Sequence, residues 1–117
     1  MAVKSYQDLV VWQKAMDFVV EVYKLTRRFP REETYGLINQ VRRAAVSVPS
    51  NIAEGQGRGI GQAFSHHVRI AQGSLQEVET QLLIAGRLKY VTAAELAPVM
   101  NQSAEIGRLN RGLLKSL

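Results

Sequence analysis

Residues 64–85, FSHHVRIAQGSLQEVETQLLIA, decide the fold class. Within them Phe64, Val68, Ala71, Leu75, Val78, Leu82 and Ala85 step by 4, 3, 4, 3, 4 and 3, the spacing that lines apolar side chains along one side of an α-helix. A seam of that kind is buried only against other helices, so it predicts a bundle. Gly73 interrupts the segment at a cost of about 1 kcal/mol relative to alanine, which predicts a close helix crossing at that point.

The segments on either side carry the same period. Downstream, Thr92-Ala-Ala-Glu95 is a capping box, and the helix it opens continues through Leu96, Val99, Met100, Ile106, Leu109, Leu113 and Leu117, with Pro98 bending its first turns. Upstream, Leu37, Ile38, Val41, Ala44, Ala45 and Val48 form a buried face, and Gln40, Arg43, Ser47 and Asn51 form a polar row. Pro49 lies inside that pattern and removes the bond to the carbonyl of Ala45, so a kink is expected there. Gly55, Gly57, Gly59 and Gly61 are expected to end this helix and form the flexible stretch of the chain. The first helix is expected to start at the cap Ser5-Tyr-Gln-Asp8 and run to about Arg28, where Phe29-Pro30 stops it. Helices of about 24 residues reach roughly 36 Å. The expectation is therefore one domain over residues 1–117, an all-α, antiparallel up-down-up-down four-helix bundle with a kinked second helix.

The first helix is apolar around most of its circumference. Leu9, Trp12, Met16, Val19 and Tyr23 make one stripe, and Val11, Ala15, Phe18, Val22 and Leu25 make a second beside it. Either the helix is central and touches both neighbours, or its second stripe meets another copy of the chain. The second reading nominates Val11, Phe18 and Val22 as an oligomer interface.

Fifteen Lys and Arg against ten Asp and Glu give a formal charge of +5, which favours polyanionic partners such as RNA or DNA. With no cysteine there is no disulfide, thiolate metal site or thiol nucleophile. The start MAVKSYQDL lacks the long apolar run of a signal peptide, so the cytoplasm is the expected location. The longest apolar runs, Leu9 to Trp12 and Leu82 to Ala85, fall far short of the roughly 20 residues that span a bilayer. No membrane partner is expected.

No catalytic constellation is legible. His66 and His67 are adjacent, so on a helix they diverge by about 100° and do not chelate one metal. The glycines from Gly55 to Gly61 lack the Lys-Ser/Thr ending of a phosphate loop. Neither a metal nor a cofactor is expected, and an enzyme is not. Were there one, Glu54 and His67 are the residues it would use. The candidate phosphate ligands are Arg42 and Arg43 on the second helix and Arg108, Arg111 and Lys115 at spacings of 3 and 4 on the fourth. Two readings stand for the cations near the kink. They hold phosphates, or Asn51, Glu54 and Arg58 knit the helix end in a structural polar network. For the fourth helix the alternative is that its cations complement the helix dipole.

Several stretches together carry a family resemblance. They are Asp8-Leu9-x-Val11-Trp12-Gln13-Lys14-Ala15, Phe29-Pro30 with Tyr35-Gly36-Leu37, Gln40-x-Arg42-Arg43-Ala44-Ala45, Asn51-Ile52-Ala53-Glu54-Gly55 with Arg58, and Ile70-Ala71-x-Gly73-Ser74-Leu75. In these the chain resembles the proteins encoded within bacterial 23S ribosomal RNA intervening sequences. The resemblance implies a left-handed four-helix bundle, homopentameric assembly around a central channel, and no established enzymatic activity. That family is similar in turn to the accessory variability proteins of diversity-generating retroelements, basic pentamers that bind nucleic acid and a reverse transcriptase. One departure is Phe64-Ser65-His66-His67-Val68, where the family pattern carries an aromatic at the place of His67. The expected function is a non-enzymatic oligomer that binds RNA or DNA through a basic surface. The alternative is a structural adaptor that recruits a protein such as a reverse transcriptase.

Overall fold

The structure is a computed structural model that describes residues 5–59 and 61–117. Residues 1–4 of the N-terminal start and Ile60 of the glycine-rich stretch lie outside the described residues. Four helices make up the fold: α1 (Val10–Thr26), α2 (Leu37–Gly57), α3 (Gln62–Arg87) and α4 (Ala93–Ser116). Two short 3-10 turns, Tyr6–Asp8 and Arg31–Glu33, precede α1 and α2, and the described residues contain no strand.

Local chemistry sets the ends of these helices. The Ser5 and Asp8 box forms, but it closes the first 3-10 turn, because Leu9 is extended and α1 starts only at Val10. At the other end α1 stops at Thr26, two residues short of the expected limit, and Phe29 turns inward to pack on Tyr90 with ring centroids 5.7 Å apart. The Thr92 and Glu95 box caps α4 as its sequence predicts, with Glu95 N donating to Thr92 Oγ1 at 3.1 Å and Thr92 N to Glu95 Oε1 at 2.8 Å. Helix α2 continues beyond Pro49 and includes both Gly55 and Gly57. The break comes later, at Gly59 and Gly61, whose φ angles of 101° and 110° are left-handed values that favour glycine.

Each helix packs on the next, and α4 closes back onto α1. Across α2 and α3 the bonded pairs are Gln40 with Gln81, Ser47 with Ser74, and Asn51 with His67. Numbers rise along α2 as they fall along α3. Ser103 reaches Glu79 and Asn110 reaches Gln72 across α3 and α4. Two ion pairs fasten α1 and the turn after it to α4, Lys14 with Glu105 at 2.7 Å and Arg28 with Glu95 at 2.8 Å.

The core runs through all four helices, with Phe18, Val22, Val41, Val48, Ile52, Leu82 and Ile106 among its fully buried members. This corrects the proposed interface of Val11, Phe18 and Val22, which are 6%, 0% and 0% exposed within their own chain. Their stripe faces the bundle axis, so no second copy is needed to cover it. The close crossing is also not where Gly73 predicts it, since open space surrounds that residue. Gly55 takes that role: a Cβ there would stand 2.6 Å from His67 Cβ, so the bare backbone of α2 lets α3 approach.

Candidate nucleic-acid interface

Arg108, Arg111 and Lys115 are all exposed and share the outer side of α4. None makes an ion pair among the described residues. The carboxylates nearest them are already engaged. Glu105 pairs with Lys14, whose hydrogen bond and charge hold it below the ordinary glutamate range, with Arg108 adding a smaller pull. Glu79 accepts the Ser103 hydroxyl at 2.6 Å. Arg108 and Arg111 border a groove of about 300 Å³ between α3 and α4, which Gln72, Gln76, Glu79 and Gly107 also line.

Arg69 belongs to this surface and the sequence reading missed it. It is exposed, forms no ion pair among the described residues, and sits one turn before Gln72. Gln72 in turn bonds the Gly107 carbonyl at 3.4 Å and Asn110 at 3.0 Å. That bonding places Arg69 beside the C-terminal half of α4. The available signal was the polar spacing of Arg69, Gln72 and Gln76 on the back of the α3 seam.

The adjacent arginines of α2 separate into two roles. Arg42 is half-buried and held from three directions. Its Nε donates to Thr26 Oγ1 at 2.9 Å, its Nη2 donates to the Tyr23 carbonyl at 3.3 Å, and its guanidinium lies 4.4 Å from the Tyr23 ring centroid. It thereby ties α2 to α1. Arg43 is exposed and unpaired among the described residues. Both line an open groove of about 550 Å³ with Tyr23, Thr34, Ile38, Asn39, Val46 and Ser47. That groove lies between α1 and α2, away from the α3 and α4 stripe, so the five candidate cations form two surfaces.

The expected network of Asn51, Glu54 and Arg58 divides in two. Glu54 and Arg58 make an exposed ion pair at 2.9 Å. Asn51 instead donates through Nδ2 to the Ser47 carbonyl and hydroxyl, both at 2.9 Å, which leaves its Oδ1 to accept from His67 Nδ1 at 3.1 Å. The two helical turns between Asn51 and Arg58 are too long for one hydrogen-bonded set, and the cross-helix partner of Asn51 is His67. Glu54 and His67, the pair nominated for catalysis, therefore serve different bonds. Among the described residues no group of three or more His, Cys, Asp or Glu is placed to hold a metal ion, and no helix is long and apolar enough to cross a membrane.

Apolar surface remains on α1 beside its buried stripe. Met16 and Val20 are exposed, and Trp12, Met16 and Val19 line a groove of about 350 Å³ with Val46, Pro49 and Ala53 of α2.

This arrangement of helices and the residues on it have relatives. The sequence profile described as 23S rRNA-intervening sequence protein matches residues 7–112. The chain belongs to this family. The same fold occurs in the crystal structure of a protein of unknown function from the S23 ribosomal protein family from Bacteroides thetaiotaomicron VPI-5482. That protein is 26% identical, superposes with a TM-score of 0.81, and the match covers 91% of this chain and 99% of the other. No curated protein matches the chain significantly.

Proposed function

We propose that this family member is a non-enzymatic cytoplasmic oligomer, a homopentamer, that binds RNA or DNA by phosphate contacts along the outer side of α4. The observation that supports it most directly is the stripe of Arg108, Arg111 and Lys115, exposed and unpaired while Glu105 and Glu79 are bonded elsewhere. Arg69 widens the stripe across the α3 groove, and the net charge of +5 adds long-range attraction. Four phosphate contacts per subunit give a slope of log K against log salt of about −3.6 on a duplex, at roughly −0.9 per contact. Repetition around a ring raises avidity further.

Fluorescence anisotropy with duplex and single-stranded RNA and DNA, between about 50 and 200 mM salt, tests this. Arg108→Gln with Arg111→Gln is expected to weaken binding and lower the slope by about two contacts. Absence of binding at the lowest salt overturns the reading.

Self-association is assigned to the groove of Trp12, Met16, Val19 and Val46, in which Met16 and Val46 are exposed and Trp12 and Val19 half-buried. Subunit number rests on the family resemblance. Light scattering is expected to report a multiple of 13.0 kDa, which Met16→Glu with Val46→Glu dissociates. A monomeric wild type overturns the oligomer.

One observation favours the adaptor as a second reading. Leu83, Ile84 and Leu88 are 52%, 44% and 51% exposed near the C-terminal end of α3. Such a patch suits a protein partner, a reverse transcriptase in the sense of the retroelement likeness. Affinity for such a partner that Leu83→Ser with Leu88→Ser removes, without nucleic acid present, would favour the adaptor.

A further inference from the structure

Tyr35 is 94% exposed. Among the described residues it is the most exposed of the large hydrophobic side chains, its ring packs on no other aromatic and its hydroxyl makes no hydrogen bond. An aromatic held out in this way contributes little to folding. It follows Thr34 directly, and Thr34 lines the groove that contains Asn39, Arg42 and Arg43. Tyr35 stands in the turn two residues before α2 opens at Leu37, so at most ~3.6 Å per residue outside the helix and ~1.5 Å inside it put Asn39 within roughly 10 Å of Tyr35 along the α2 direction and Arg42 within roughly 15 Å. A nucleotide spans that reach from its base to its own or the next phosphate.

We propose that this end of α2 is a binding site for one or two nucleotides of a single-stranded nucleic acid, with a base stacked on Tyr35 and phosphate held by Arg42 and Arg43. The inference rests on the nucleic-acid reading above, but it uses a different surface and predicts a different substrate form. Three features of the groove fit such a ligand. Arg42 is already fixed by Thr26, the Tyr23 carbonyl and the Tyr23 ring, so little side-chain freedom is lost when it meets an anion. Arg43 and Asn39 are exposed, and Arg43 makes no ion pair among the described residues.

The third feature is charge. No carboxylate lines this groove, and Glu77, which lines the adjoining one that shares Asn39, Arg43 and Ser47, accepts a hydrogen bond from Gln81 at 3.3 Å. Glu33, the acid next in sequence to Thr34 at its mouth, is spent on Leu37 N at 3.1 Å and the Tyr90 hydroxyl at 2.7 Å. That bond also occupies the first turn of α2, so the site is made by side chains and not by the helix end. The floor of Tyr23, Ile38 and Val46 is apolar and suits the edge of a sugar or base.

Single strands are favoured for a geometric reason. A lone tyrosine stacks only on a base whose face is free, and duplex bases have none to offer. The α4 stripe, by contrast, has no aromatic residue anywhere along its helix. The two surfaces therefore differ in what they take: phosphate backbone of any form at α4, and an unstacked base with its phosphate at Tyr35.

Anisotropy with fluorescein-labelled oligo(dT), oligo(rU) and a short duplex separates the possibilities on the full chain. Tyr35→Ala is expected to weaken both single strands about tenfold and leave the duplex unchanged. Tyr35→Phe keeps the ring and should keep the affinity. Arg43→Gln should lower the single-strand salt slope by about 0.7. Weakening on oligo(rU) alone would assign the site to RNA, and equal weakening on both to either sugar. Single-strand affinity indifferent to Tyr35→Ala, or lost equally on duplex, overturns the site. If Arg108→Gln with Arg111→Gln abolishes binding while Tyr35→Ala is silent, this site fails and the α4 reading stands. If wild type binds none of the three, both fail together.

Discussion

Gly55 and Gly73 take the same substitution in opposite directions. A Cβ at Gly55 would lie 2.6 Å from His67 Cβ and 3.3 Å from both His67 Cγ and Phe64 Cδ1. The first of these atoms is fixed to the α3 backbone, so no rotamer change removes the clash, and the two helices must separate. Overpacking of that kind costs about 1–3 kcal/mol. Better helix propensity returns at most about 1 kcal/mol, less in a last turn. Gly55→Ala should therefore lose about 1–2 kcal/mol, a five- to thirtyfold drop in the folding constant. At Gly73 nothing stands within 4 Å, so Gly73→Ala keeps only the propensity gain and should stabilise by up to about 1 kcal/mol. Guanidinium titrations followed by far-UV circular dichroism, at one protein concentration because association shifts the midpoint, measure both. His67→Ala retains the offending Cβ and should not rescue Gly55→Ala, whereas His67→Gly should reduce the penalty. A Gly55→Ala protein as stable as wild type would refute the packing argument.

Three further outcomes are expected. Phe18→Ala, at a side chain fully buried within its own chain, should cost about 3–5 kcal/mol and lower the midpoint in monomer and oligomer alike. Asn110 is fully buried and donates to Gln72, but its Oδ1 has no partner. Asn110→Ala should cost about 1–3 kcal/mol, while Asn110→Leu with Gln72→Met should be neutral or stabilising, because no buried polar atom is left half-bonded. The third concerns pH. Glu95 is held below its ordinary value of 4.5, chiefly by the Thr92 backbone hydrogen bond and last by Arg28, and Glu33 is lowered by Leu37 N and then Tyr90. Groups depressed on folding stabilise above the ordinary value, so melting temperature should fall as pH drops below 4.5, and Glu95→Gln should flatten that decline. Tyr90 is raised above 10.0, first by its hydrogen bond to Glu33. Its contribution is full below that pH and is lost as the phenol ionises, and Tyr90→Phe should remove this alkaline part.

Much of the bundle was readable from periodicity. The α3 seam, the Thr92 cap and the stop at Phe29-Pro30 are local features, set by 3.6-residue geometry and by which backbone groups need partners. The core stripe of α1 was equally visible, but not its direction. Two apolar stripes stood side by side, and spacing alone assigns neither to the axis. The α2 limit was misplaced for a related reason. Glycine permits a break without requiring one, and Gly55 is helical because α3 presses against it. Among the candidate cations, Arg108, Arg111 and Lys115 were evident from spacing. Arg69 was not, because its neighbours across the groove are more than thirty positions away.

Periodicity and capping thus dictated four amphipathic helices, and composition the basic balance, since those follow from each residue and its near neighbours. Packing alone decided which of the α1 stripes is buried, that Arg42 is clamped on Tyr23 while Arg43 stays free, and that Gly55 rather than Gly73 marks the crossing. Each of these depends on distances between segments remote in the chain, which helical spacing does not encode.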